Sequence, residues 1–274
     1  MTRLSINEMT TYRWPFERDV ASYAEAGIRA MGVWRQKLAD YGEEEGIELL
    51  AERGLSVSNL LWAGGFTGSD GRSYGDSVED AEEAIRLAAA LQAGCLVVYS
   101  GGRNGHTYNH CRRLVRGALA ELVPLAAELD VTLAVEPMHQ GCAAEWTFLT
   151  GLDEALELID ALASPHVKLV FDTYHLGQDE GVIAQIPTIA DRIAIVHLGD
   201  SKAVPTGEQN RCWLGQGIVP LAAIIDSLLS AGYQGDFDVE LIGEDLEAAE
   251  YSELIAHSMR AFAALVGVKG CSAR

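Results

Sequence analysis

The strongest constraint on this chain is a repeat of element type rather than of sequence. A short β-branched or apolar run is followed by a turn and then a segment of helical period, again and again. The runs are LSINEM (4–9), IRAMGVW (28–34), LSVSNLLW (55–62), CLVVYSG (95–101), VTLAVE (131–136), VKLVFD (167–172), IAIVHL (193–198) and FDVELI (237–242). Between them, apolar residues return at helical spacing. After the third run Ala81, Ala84, Ile85, Ala88 and Leu91 form one stripe, at i, i+3, i+4, i+7 and i+10. Cys111 to Leu129, residues 151–163, residues 221–232 and the stretch around Leu254, Ile255, Met259, Phe262 and Val266 read the same way. Gly27, Gly54 and Gly232 stand between a helix and the next strand, where helices commonly stop.

Eight runs alternating with eight helical segments predict an α/β fold, a single (β/α)8 TIM barrel, as one domain over 1–274. A doubly wound sheet is the competitor. It would have fewer strands and a glycine-rich phosphate turn after the first, and residues 8–16, EMTTYRWPF, contain no glycine.

Composition narrows the partners. The formal charge of −20 repels a phosphate backbone, so nucleic acid is not expected as a partner. No apolar run is long enough to span a bilayer, and the N-terminal MTRLSINEMTTYRW has no apolar signal core. Five cysteines (Cys95, Cys111, Cys142, Cys212 and Cys271) are odd in number and form no CxxC pair, which fits reduced thiols in a cytoplasmic protein.

A barrel of this type builds its active site at the C-terminal ends of its strands. There the fifth run ends in Glu136, the sixth in Asp172, the seventh has His197, and the eighth contains Glu240. Singly, each has an ordinary structural reading: a solvated carboxylate, a paired one, a satisfied histidine, or, for Asp172, a helix cap. Together, three carboxylates on one rim repel one another unless a cation sits among them or some stay protonated. Asp172 is therefore read as a ligand rather than a cap. An oxygen-rich set with one imidazole suits one divalent metal ion, Mn²⁺ first, then Mg²⁺, Co²⁺ or Zn²⁺.

The motifs containing these residues, EP after the fifth run, DTYH, HLGD and the last-strand VEL, resemble the sugar phosphate isomerase/epimerase family of the xylose isomerase-like TIM barrel superfamily. MGVWRQKLADYG and RCWLGQGIVPL extend the likeness over most of the chain. The resemblance implies that Glu136, Asp172, His197 and Glu240 bind the metal and that Glu136 and Glu240 act as the catalytic acid/base pair. It implies that His175 and Arg211 bind substrate oxygens, and that the protein is a homo-oligomer, dimer or tetramer.

Such a site can remove a proton next to a sugar carbonyl, with a divalent ion stabilising the enediolate. Returning the proton to the opposite face epimerises; returning it to the adjacent carbon isomerises; losing a β-hydroxyl dehydrates. The expected function is thus a metal-dependent isomerase or epimerase of a keto-sugar or polyol-derived ketone. The alternative is a dehydratase or lyase acting on a keto-inositol or 3-keto sugar. A barrel that binds without turnover has no need of two positioned bases. Xylose isomerase itself carries a lysine two residues after the fifth-strand glutamate, where this chain has Met138, so a hydride shift is not expected. The superfamily's endonucleases need more histidines than seven and an anionic duplex as partner.

Trp34 and Trp62, ending the second and third runs, are candidates to wall a sugar pocket, with plugging of the barrel mouth as the alternative. His139 and Glu145 are weaker candidates in the loop after Glu136. Asp200 is either an outer partner of the ligands or a turn residue. GGRNG (101–105) lacks the ending of a P-loop and reads as a turn or lid, which favours an unphosphorylated substrate. His106, His110, His166 and His257 are expected to be structural or solvent-facing.

Overall fold

The computed structural model describes residues 3–179 and 181–267; Cys271 lies outside them. Eight parallel strands close into one barrel in chain order: β1 (Arg3–Asn7), β2 (Ala30–Trp34), β3 (Ser56–Gly64), β4 (Leu96–Tyr99), β5 (Leu133–Val135), β6 (Val167–Asp172), β7 (Ile193–Leu198) and β8 (Asp236–Val239). Pairing of Ser5 with Asp238 and of Ile6 with Val239 closes the ring. The barrel expected from the alternation of runs and helices is the fold.

Period-2 alternation divides the strand residues into two layers. Outward side chains such as Ile6, Met31, Leu60, Leu96, Leu133, Phe171, Val196 and Phe237 pack beneath the helices in one large core. The helical stripe Ala81, Ala84, Ile85 and Ala88 of Tyr74–Ala90 is buried there as expected. Inward side chains fill the barrel unevenly. Leu61, Cys95, Val97, Ala134, Val170 and Ile195 make an apolar half. Ser5, Asn7, Ser58, Asn59 and Asp238 make a buried polar half.

The described residues contain eleven α-helices rather than eight segments, because three connections carry two each: Arg35–Tyr41 with Glu43–Arg53, Thr173–Leu176 with Val182–Ile189, and Glu244–Glu247 with Tyr251–Gly267. Gly42, at φ 115°, breaks the first pair. Gly54 ends the next helix in the left-handed region, its N–H bonding Ala51 O and Leu50 O. No helix among the described residues is long and apolar enough to cross a membrane.

Candidate metal centre and active site

Four side chains from four consecutive strands meet at the C-terminal rim. Asp172 of β6 and His197 of β7 stand opposite each other in register. Glu136 and Glu240 each lie one residue past their strand. Their N–H groups still donate to Val98 O (3.0 Å) and Leu198 O (3.1 Å) on the neighbouring strands. Those bonds continue the strand alternation and turn both carboxylates inward. One ligand atom from each of the four lies within 4.8 Å of the others, and all four residues are buried.

His197 Nδ1 is 3.5 Å from Glu136 Oε1 and 3.4 Å from Glu240 Oε2. Neither of its ring nitrogens has a hydrogen-bond partner. A buried imidazole nitrogen aimed between two carboxylates, without a hydrogen bond of its own, fits a shared divalent cation, and so does the oxygen-rich donor set.

The charges are strongly unequal. Burial raises the Glu136 carboxyl, and the neighbouring Glu240 and Asp172 add to this while His197 opposes it. Burial works the same way on Glu240, but Arg211 and His197 outweigh it and hold that carboxyl down at about 2. Burial disfavours charge on His197, yet its contacts with Glu136 and Glu240 push it well above the ordinary imidazole value.

Arg211, expected to face substrate, is fully buried and lies against the carboxylates. Its Nη2 donates to Asp172 Oδ2 (2.8 Å) and Glu240 Oε2 (3.2 Å), Nη1 donates to Gln209 Oε1, and the guanidinium covers the Tyr174 ring at 4.5 Å. A Cβ at Gly199 would come within 2.8 Å of Arg211 Nε, so glycine leaves this arginine its space. Arg211 still contributes to the cavity wall.

Reading Asp172 as a ligand in place of a cap needs correction, because it is placed for both. Oδ1 caps the helix Thr173–Leu176 by accepting from Tyr174 N (2.6 Å) and His175 N (3.3 Å), while Oδ2 takes Arg211. His175 Nδ1 accepts the His139 N–H (3.1 Å), so the neutral ring carries its proton on Nε2, 4.0 Å from Asp172 Oδ2. Burial keeps that ring neutral, its pKa lowered to about 4. Asp200 organises a turn: it accepts from Ser201, Gly215, Gly217 and Val219 N–H groups.

Above the four residues opens a cavity of about 680 Å³. Glu136, Glu240, His175, Arg211, Trp34 and Trp62 all line it, as does Glu145. Trp34 and Trp62 pack edge to face at 6.2 Å. Trp146 and Tyr99 extend the wall, with Trp62–Trp146 at 5.9 Å and Tyr99–Trp146 at 5.7 Å. Reading by strand ends missed Trp146, which sits in a loop. It also missed Asp238, which two-residue spacing from Glu240 points into the barrel.

The model of the xylose isomerase-like TIM barrel family matches residues 20–265. This chain belongs to that family. Among its relatives is a D-psicose 3-epimerase of Enterocloster bolteae, 36% identical over 79% of this chain and 70% of that enzyme. An L-ribulose 3-epimerase of Mesorhizobium japonicum is 28% identical over 84% of this chain and 78% of that enzyme. A solved protein of Sinorhizobium meliloti 1021, 29% identical, superposes with a TM-score of 0.88 over 96% of this chain and 98% of that one.

Proposed function

We propose that this family member is a divalent-metal-dependent epimerase of an unphosphorylated ketose, with Glu136 and Glu240 as its two proton carriers. The observation that carries the reading is the approach of both carboxylates to one imidazole nitrogen, at 3.5 and 3.4 Å, on the floor of a cavity of sugar size. The names of the relatives, sugar 3-epimerases among them, point the same way.

Glu136, Asp172, His197 and Glu240 would hold the ion, with Mn²⁺ proposed from the donor set. Bound there, a divalent ion supplies Lewis-acid charge to stabilise oxygen anions of the substrate. One glutamate removes the proton from the carbon beside the carbonyl, and the other delivers a proton to the opposite face, so that configuration inverts and no atom is lost. His175, neutral with its proton on Nε2, donates a hydrogen bond to a substrate oxygen without giving up charge. The aromatic wall of Trp34, Trp62 and Trp146 packs against the sugar's C–H face and excludes water.

Phosphorylated substrates fit poorly. Among the described residues that line the cavity Arg211 is the one permanent cation, and it is engaged by Asp172 and Glu240, while Glu145 and Glu208 add negative charge. Met138 stands where a hydride-shift enzyme carries lysine. The free thiols of Cys95, Cys111, Cys142 and Cys212 accord with the cytoplasm as the proposed location.

Incubating the Mn²⁺-loaded protein with a panel of free ketoses in D₂O tests this. The expected product is the epimer carrying one deuterium at the inverted carbon. A product lighter by one water would make the enzyme a lyase, and turnover restricted to sugar phosphates would refute the substrate class.

A further inference from the structure

A barrel interior is ordinarily filled by branched apolar side chains. Here β8 puts a carboxylate there, Asp238, fully buried, in register with Ser5 on one side and His197 on the other. A buried carboxylate is costly unless polar groups surround it, and this one is cradled. Its Oδ2 accepts from Asn7 Nδ2 (2.7 Å) and Asn59 Nδ2 (2.8 Å). Asn59 Nδ2 also reaches Ser58 Oγ at 3.0 Å, and that hydroxyl bonds Ser5 Oγ at 2.6 Å. The neighbouring strand makes room: a Cβ at Gly32 would lie 2.6 Å from Asp238 Oδ2 and 2.7 Å from Asn7 Nδ2.

Two amide donors, one from β1 and one from β3, thus hold a carboxylate beneath His197, with Nε2 3.9 Å from Oδ2. Both His197 Nε2 and Asp238 Oδ1 are buried and lack hydrogen-bond partners. The other ring nitrogen, Nδ1, faces Glu136 and Glu240. We infer that Asp238 is a positioning residue: it serves as acceptor for the Nε2–H of His197 and so fixes the tautomer and ring orientation that present a bare Nδ1 to a divalent cation. Histidines that ligate metals generally donate their second N–H to such a group, and losing it weakens metal binding. Leaving both groups unserved in the barrel would carry the penalty of two unsatisfied buried polar atoms. The inference rests on the metal reading of Glu136, Asp172, His197 and Glu240.

The test is a competition titration of Mn²⁺ against a fluorescent chelator, with thermal melts in excess EDTA to separate folding from binding. Asp238→Leu, which fills the volume without an acceptor, should raise the Mn²⁺ Kd about 10- to 100-fold. Asp238→Asn has one oxygen to offer, to the Asn7 and Asn59 amides or to His197 but not to both, and should bind Mn²⁺ more weakly than wild type. A folded Asp238→Leu with wild-type affinity overturns the inference and leaves the metal reading standing. Wild-type protein that fails to bind Mn²⁺ overturns both. If Asp238→Leu does not fold, ¹⁵N spectra of the wild-type imidazoles under Zn²⁺ decide: a proton on His197 Nε2 supports the inference, and a proton on Nδ1 overturns it.

Discussion

Arg211 and Asp172 are joined in full burial, Nη2 donating to Oδ2 at 2.8 Å across 39 positions of sequence. The same Nη2 reaches Glu240 Oε2 at 3.2 Å, so one guanidinium is shared by two of the three rim carboxylates. Burial opposes the arginine's charge, and Glu240 and Asp172 more than restore it.

Removing that cation should therefore expose the ligands' mutual repulsion. Arg211→Met, studied in excess chelator, is expected to lose about 3–5 kcal/mol of stability, the scale for breaking a buried ion pair. Saturating Mn²⁺ should shrink the difference from wild type, because the ion supplies the positive charge that the variant lacks and so stabilises the variant more than it stabilises wild type. Denaturant melts with and without metal measure this. An equal loss under both conditions would mean that Arg211 acts through packing on Tyr174 rather than through the carboxylates.

If Glu136 and Glu240 are the two proton carriers, Glu136→Gln and Glu240→Gln should each lower kcat about 10²- to 10⁴-fold while the far-ultraviolet spectrum is unchanged. Solvent exchange sharpens the test. Each variant keeps one base, so each should still exchange deuterium into one epimer and not the other. Exchange into both epimers by a single variant would show that one carboxylate serves both faces.

Much of the fold was legible because a parallel barrel buries its strands on both sides, which leaves eight dense apolar runs in the sequence. The rim set Glu136, Asp172, His197 and Glu240 was legible for a related reason: each ends or follows a run, where the fold builds its sites. Pairings across the sequence were hidden. Asp238 meets Asn7 and Asn59 from 231 and 179 positions away, and no local pattern reports such a cradle. The dual use of Asp172 has no signature in the sequence, because a carboxylate has two oxygens and only the fold divides them between the helix cap and the rim. Trp146 gave no periodic signal; its position in the wall depends on the loop that follows β5.

That wall is open to a binding test. Trp62 contacts both Trp34 and Trp146, so Trp62→Ala removes the middle of the aromatic surface. Ring contacts of this kind are worth about 0.5–1.5 kcal/mol beyond buried area. KM for the preferred ketose should rise roughly 3- to 10-fold, with a smaller change in kcat. Initial-rate kinetics on the metal-loaded protein give both constants. A fall in kcat at constant KM would instead assign Trp62 to the arrangement of the catalytic groups.

The last prediction concerns pH and a buried network outside the four-residue cluster. Glu8 Oε2 accepts the Trp34 N–H at 2.7 Å, Lys37 Nζ lies 2.6 Å from Asp19 Oδ2, and the same ammonium stands 3.9 Å from Glu8 Oε1. Two carboxyls share one ammonium. Burial first, then the charge of Asp19, pushes the Glu8 carboxyl well above the ordinary range, against the pull of Lys37. A carboxyl that holds its proton more tightly when folded contributes its stabilisation in full below the unfolded pKa, about 4.3 for Glu. That contribution is lost as pH rises through the folded value, because the unfolded chain ionises first. Glu8→Gln keeps an oxygen for the Trp34 N–H but does not titrate. Relative to wild type, the variant should therefore gain stability steadily as pH rises from mildly acidic to neutral, measured by denaturant midpoints at constant ionic strength. A difference that stays flat across this range would show that Glu8 is already ionised in the folded protein, paired with Lys37.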